Sequence, residues 1–277
     1  MQDHLISTKV AALTVEHEVP SNVVLAPMSS GFTLRFEETG AIWFCAEAAL
    51  LLDIDNEDTS PEWLARCGGR SAVPAKPNTG NSKCSSHLGI SCLGFVEQLN
   101  CGYTVPKAID SAGSFSLAVI YVPSSLIEPR TLLTVNPLGH ENYVFLSERD
   151  NAIVLTDDQG SFVLRCPLKT ECNGFRLVVF SRNAEGEFSL SVDMQEIKTD
   201  HTQVLPSKNE DRSDLFIGCR SHRAGILKTL GKFVLADVVL WPGKDILASQ
   251  TKTPGSRTGS EYDVLMSYFK EVISYEL

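Results

Sequence analysis

The chain has 277 residues, 24 Lys+Arg against 34 Asp+Glu for a formal charge of −10, and 43% hydrophobic residues. This composition supports a buried core and excludes a disordered chain, and the length suits one large β domain or two ordinary ones. The acidic balance lacks the basic footprint that a nucleic-acid backbone requires, and no run approaches the ~18 apolar residues of a membrane helix. Neither nucleic acid nor membrane is therefore expected as a partner.

In chain order, residues 1–40 hold short apolar runs, Val10–Val15 and Asn22–Ala26, and the alternating segment Phe32–Phe36, punctuated by Pro20, Pro27 and Gly31. They predict an extended N-terminal arm with short strands and no core of its own. Ile42–Ile54 is apolar enough to be buried, and the Gly-, Ser-, Pro- and Asn-rich stretch 68–91 predicts a long irregular loop. From residue 92 the pattern is β. Strands are predicted at Cys92–Val96, Ser114–Val122, Thr131–Val135, Asn142–Ser147, Ala152–Thr156, Ser161–Cys166, Phe175–Ser181, Glu187–Val192, Leu215–Gly218 and Lys232–Leu240. Turn residues separate them at short intervals, as in an antiparallel sandwich or barrel. Phe188, Leu190 and Val192 alternate with Ser189 and Ser191, a half-buried strand. Phe115–Val122 and Phe233–Trp241 are apolar on both faces, so each belongs in the middle of a packing or beneath a covering element. Tyr262, Leu265, Met266, Phe269 and Ile273 form one helical stripe, and Ser260 with Asp263 is its capping box. That helix, 260–276, would pack on its own domain or dock onto a partner.

The eight cysteines include no CxxC pair, and no His stands at finger-like spacing from a cysteine pair, so zinc is not expected. The first residues hold Asp3 and no basic region ahead of an apolar core, which does not resemble a signal peptide. There is no Asn-x-Ser/Thr sequon. The cysteines accordingly read as buried thiols of a chain made in a reducing cytoplasm, although Cys84, Cys92 and Cys101 could meet across neighbouring strands.

Several strings resemble the concanavalin A-like (laminin G-like) jelly roll. Gly113–Pro123 resembles its early core strand, Phe175–Asp193 its central hairpin, and Asp214–Gly218 its short Leu-x-Ile-Gly strand. Lys232–Trp241 is similar to its last strand, with Asp237 as the acid that interrupts the apolar run. The terminal helix, Leu50–Asn56 and Gly89–Phe95 resemble segments of versions found in bacteriophage structural proteins. The resemblance implies an all-β fold, a two-sheet antiparallel jelly-roll sandwich over 41–277 with an N-terminal extended arm (1–40) and a C-terminal α-helix.

Fold alone does not give function. A glucanase of this class would carry Glu-x-Asp-x-x-Glu on one strand, and no core strand has it. Asp53, Asp55 and Glu57 could hold Ca²⁺ if extended. However, Asp58 and Leu64 stand where an EF-hand needs Gly and Glu, so the stretch reads as a solvated acidic turn before Pro61. No Gly-x-Ser-x-Gly elbow exists. Arg220, His222 and Tyr143 could supply part of a lyase site. No catalytic residue, metal or cofactor is assigned. The candidate glycan or partner contacts are Trp63, His140, Asn142, Arg220 and His222, with Trp63 equally suited to plug a gap between arm and sandwich. Arg220–Arg223 is the one local basic cluster and would meet an anionic glycan or an acidic subunit.

The functional expectation is a non-enzymatic phage virion structural or adhesion protein, a tail, fibre or head-decoration component presenting a lectin-like domain. It would be assembled in the host cytoplasm, contact other virion subunits, form a homo-oligomer and touch a host surface polysaccharide. The alternatives are a soluble lectin module recognising host glycans and, behind it, a polysaccharide lyase or hydrolase.

Overall fold

A computed structural model describes residues 29–52, 61–76, 82–97, 99, 102–111, 113–123, 129–137, 143–168, 174–195, 198–200, 212–221, 231–248 and 260–273. The first element is a helix, α1 (Ser29–Glu38), where alternation predicts a strand. In a strand Phe32, Leu34 and Phe36 would share one face. Here Phe32 and Phe36 are buried while Leu34 is 64% exposed, the i, i+4 signature of a helix face. Gly40, at φ 72, ends the helix, and Ala41 N–H bonds back to the Phe36 carbonyl.

The chain continues through β1 (Ile42–Cys45), a short 3₁₀ turn, β2 (Leu51–Leu52), β3 (Glu62–Leu64), β4 (Ser71–Pro74) and β5 (Lys83–His87). Then come β6 (Ile90–Phe95), β7 (Tyr103–Asp110), β8 (Phe115–Pro123), β9 (Arg130–Pro137), β10 (Val144–Arg149) and β11 (Ala152–Thr156). The remaining strands are β12 (Phe162–Pro167), β13 (Arg176–Arg182), β14 (Phe188–Val192), β15 (Lys198–Asp200), β16 (Arg212–Ile217) and β17 (Phe233–Pro242). A last helix, α2 (Glu261–Tyr268), runs on into a π turn at Phe269–Ile273. The stretch 68–91 is thus not one long loop: it contains β4 and β5. Its small polar residues suit β5, an edge strand exposed almost throughout, while β4 lies between β7 and β3.

Among the described residues, antiparallel pairing makes two sheets. The first has the order β15-β14-β13-β8-β17-β6-β5, with β1 also on β17, and the second β12-β11-β10-β9-β16-β7-β4-β3-β2. Along one edge of β17, Phe233–Leu235 pair with β6 and Asp237–Leu240 pair with β1. Strand β7 contains Pro106, which sequence rules would exclude from a central strand. A register shift against β16 accommodates it: Lys107 takes φ 50 and donates its backbone N–H to Asp214 Oδ1 at 2.8 Å.

Two cores result. Phe115, Leu117, Val119 and Tyr121 of β8 point between the sheets with Leu235, Val238 and Leu240 of β17. Ala118, Ile120 and Val122, with Val239 and Trp241, point outward beneath α1 and α2. This second core is the covering element that the two-faced apolar strands demanded. The stripe Leu265, Met266, Phe269 and Ile273 is spent in it, and Phe32 and Phe36 meet Tyr268 with ring centroids 5.4 and 5.6 Å apart. Helix α2 therefore docks on its own domain, capped by Ser260, whose Oγ accepts from Asp263 N–H.

Candidate functional site

Helices cover the outer face of the first sheet; the outer face of the second is built differently. Strand periodicity sends Leu146 and Glu148 of β10 inward, so Phe145, Ser147 and Arg149 point outward. Phe145 lies opposite Thr134 on β9 and Thr156 on β11, and Thr156 lies opposite Phe162 on β12. A row Thr134–Phe145–Thr156–Phe162 thus crosses four strands.

Two guanidinium groups converge on this row. After β16, Gly218 at φ 72 turns the chain, its N–H bonding to the Leu132 carbonyl at 2.8 Å. Thr134 Oγ1 donates to the Cys219 carbonyl at 3.0 Å and holds the turn against the sheet. Arg220 is thereby placed with Cζ 3.8 Å from the Phe145 ring centroid, and Tyr143 lies 6.1 Å from the same ring. From the other side Arg149 sits 4.6 Å from the Phe162 centroid and donates to Thr156 Oγ1 at 3.3 Å. Burial lowers the Arg220 pKa and the nearby Arg149 charge lowers it further, opposed by Tyr143.

The face also carries individual polar atoms without partners. Thr104 Oγ1, Thr131 Oγ1, Asn136 Oδ1, Arg149 Nε and Arg220 Nε are buried and make no hydrogen bond. Such atoms are uncommon in folded proteins and costly, by about 1–3 kcal/mol each. Among the described residues, the outward positions of β9 to β12 carry hydroxyls, guanidinium groups, Asn136, Phe145 and Phe162, and no carboxylate.

Carboxylates instead gather inside one end of the sandwich. Tyr121 donates to Glu148 Oε2 at 2.5 Å, and Arg176 lies 3.8 Å from Glu148 and 3.1 Å from Asp193. Asp193, the acid that ends the central hairpin, also accepts from Leu177 N–H at 3.0 Å. Burial raises its pKa despite Arg176, and burial together with Glu148 raises that of Tyr121. These groups satisfy one another and close the core.

Of the sequence-derived candidates, Arg220 lies on the polar face. Trp63 does not serve as a surface platform: it is fully buried, its indole N–H donates to the Cys45 carbonyl at 2.9 Å, and its ring packs edge-on to Phe44 and Tyr103. His140, Asn142 and His222 lie outside the described residues, as do Asp53, Asp55 and Glu57. Among the described residues no group of three His, Cys, Asp or Glu is placed to hold a metal ion. Six cysteines, Cys45, Cys67, Cys84, Cys92, Cys166 and Cys219, are free thiols. Cys84 and Cys92 do not meet: Cys84 lies opposite Leu93 and Cys92 opposite Ser85, so the two point to opposite faces. Cys101 lies outside the described residues.

Sequence reasoning missed Phe145, Arg149 and Phe162 as a group. The i, i+2, i+4 series Phe145-Ser147-Arg149 was available as a signal. The match with Arg220 was not, because it depends on the pairing of β9, β10 and β16.

No protein-family model matches the sequence, and no curated protein matches it. Among solved structures the chain is similar to a Trypanosoma rangeli sialidase, with TM-score 0.55 and 15% identity over 84% of this chain and 33% of that one. It is similar to the binding domain of Paraclostridial Mosquitocidal Protein 1, with TM-score 0.52 and 12% identity over 83% and 52%. It also resembles the Botulinum Neurotoxin serotype G binding domain, with TM-score 0.50 and 11% identity over 83% and 50%. The chain spans about a third to a half of these proteins. At such identities the likeness shows the fold, a concanavalin A-like jelly-roll sandwich.

Proposed function

We propose that this jelly roll is a non-enzymatic carbohydrate-binding module whose ligand lies on the outer face of the second sheet. The observation that carries this reading is the row Thr134–Phe145–Thr156–Phe162 with Arg149 and Arg220 laid over it. A sugar ring offers one apolar face and a rim of hydroxyls, and is held by aromatic surface flanked by fixed polar groups. Phe162 is 54% exposed and offers such a surface, while Thr131 and Asn136 add hydrogen-bonding capacity that the fold leaves unused.

One observation favours binding over catalysis. Glycoside hydrolysis needs two accessible carboxyl groups flanking the bond, about 5–10 Å apart. The outward positions of β9 to β12 carry none among the described residues, and Glu148 and Asp193 are tied to Tyr121 and Arg176 inside.

The setting we propose is a phage particle, supported by the sequence resemblance to phage-type domains. Because α1 and α2 are both spent on their own sheet, attachment to neighbouring virion subunits would fall to residues outside those helices.

A glycan array probed with the full chain tests the binding role. Binding to at least one saccharide class is expected, weakened by Phe162→Ala at unchanged melting temperature; failure to bind any glycan overturns the reading. Release of reducing ends from polysaccharides incubated with the protein would overturn its non-enzymatic part.

A further inference from the structure

We propose that this face selects an anionic saccharide, one bearing carboxylate or sulfate groups, held between Arg149 and Arg220. The inference rests on the glycan-binding reading above and adds the class of ligand.

Charge is the first argument. The chain carries a net −10, yet the outward positions of β9 to β12 are without acids among the described residues, and two guanidinium groups are brought within electrostatic range of each other there. Like charges drawn together repel, and an anion between them converts that repulsion into attraction on both sides.

Geometry is the second. Arg149 lies on Phe162 and Arg220 on Phe145, so an aromatic ring occupies one flat face of each guanidinium. Stacking of this kind uses the face and leaves the in-plane N–H fork for an acceptor. Each Nε lacks a hydrogen-bond partner, so one side of both forks is incomplete. An arginine fork presents parallel N–H groups at the spacing of carboxylate or sulfate oxygens.

The third argument separates a saccharide from an acidic side chain. Thr131 Oγ1 and Asn136 Oδ1 on β9 are buried and make no hydrogen bond, and sugar hydroxyls, which both donate and accept, match either. An ionised carboxylate only accepts and would leave Asn136 Oδ1 unmatched.

The test measures binding of the full chain to immobilised polygalacturonate, dextran sulfate, neutral dextran and poly-glutamate. One of the two acidic polysaccharides should bind at least about tenfold more tightly than dextran, and added salt should weaken that binding. Arg149→Gln and Arg220→Gln should each cost about tenfold, the loss of a charge-assisted contact. Lys83→Gln, an equal charge change on exposed β5 of the other sheet, should cost nothing. If a Gln variant fails to fold, Arg220→Lys keeps the charge and reads the loss of the fork alone.

Equal binding to dextran, or an equal loss in Lys83→Gln, overturns the anionic selection and leaves a glycan-binding module standing. Poly-glutamate bound as tightly as the polysaccharides overturns the saccharide assignment. Absence of binding here and on the array removes both readings.

Discussion

The indole N–H of Trp43 donates to Oδ1 of Asp237 at 2.8 Å, with both residues 1% exposed. Tyr268 donates to Oδ2 of the same carboxylate at 3.0 Å. One acid therefore joins β17, β1 and α2 at the point where the partner on one edge of β17 changes from β6 to β1.

The first prediction concerns pH. Burial raises the Asp237 carboxyl from 3.8 to about 7, against the lowering effect of the Trp43 and Tyr268 hydrogen bonds. Glu47, Cys45 and Cys92 face it as further negative or ionisable groups, and Arg66, paired with Glu47, opposes them. The folded state holds this proton more tightly than the unfolded chain does. The contribution of Asp237 is thus fullest below about pH 4, falls as pH rises to about 7, and is constant above. The span corresponds to something on the order of 4 kcal/mol. Asp237→Asn should flatten the decline in denaturant stability between about pH 4 and 7; an unchanged slope would remove Asp237 as its source.

Tyr268→Phe deletes one donor and keeps the ring among Phe32, Phe36 and Trp43. A loss of about 1–3 kcal/mol is expected, together with an upward move of the pH midpoint assigned to Asp237. Destabilisation without that move would mean that the hydroxyl matters for packing alone.

Phe36→Ala should open both helices together. Its ring contacts Trp43, Trp241 and Tyr268, so α1 and α2 share one packing unit. A cost of about 3–5 kcal/mol is expected, with faster amide exchange in α2 as well as α1. Faster exchange confined to α1 would show that the helices are held independently.

Gly218 closes the Leu-x-Ile-Gly string for two reasons visible only in three dimensions. It sits at φ 72, and a Cβ there would lie 2.1 Å from Cε1 of Phe95, which is stacked on Phe233. Gly218→Ala should cost more than about 2 kcal/mol and weaken any ligand binding by displacing Arg220. Wild-type melting would contradict this.

The cysteines differ in reactivity. Cys84 is exposed, whereas burial holds Cys45 far above its ordinary range and pushes Cys92 up to about 12. Alkylation of the native protein should label Cys84 well before either. Labelling of Cys92 at the same rate would mean that the second core opens readily.

Much of the sandwich could be read in advance, because a strand announces itself through neighbours two residues apart and through the turns that bound it. The hairpin of β13 and β14, the two-faced β8 and β17, and the capped stripe of α2 are all of this local kind. Where the signal was ambiguous, tertiary contact decided. Phe32–Phe36 alternates like a strand, yet it is helical because only a helix turns Phe32 and Phe36 together toward Tyr268 and releases Leu34 to solvent. Tyr103–Asp110 was unreadable because Pro106 breaks the pattern and the resulting irregularity at Lys107 is held from another strand, by Asp214 on its N–H and Arg212 on its carbonyl.

By itself, then, the sequence determined an acidic antiparallel β fold with central strands apolar on both faces and a capped amphipathic helix after them. The tertiary structure alone decided that Asp237 would be clamped by Trp43 and Tyr268, that Trp63 would be core, and that Arg149 and Arg220 would meet over Phe145 and Phe162. Periodicity and turn residues act between neighbours in the chain and so are written locally. These contacts join segments distant in sequence, and register, bulges and sheet order exist only once the strands have paired.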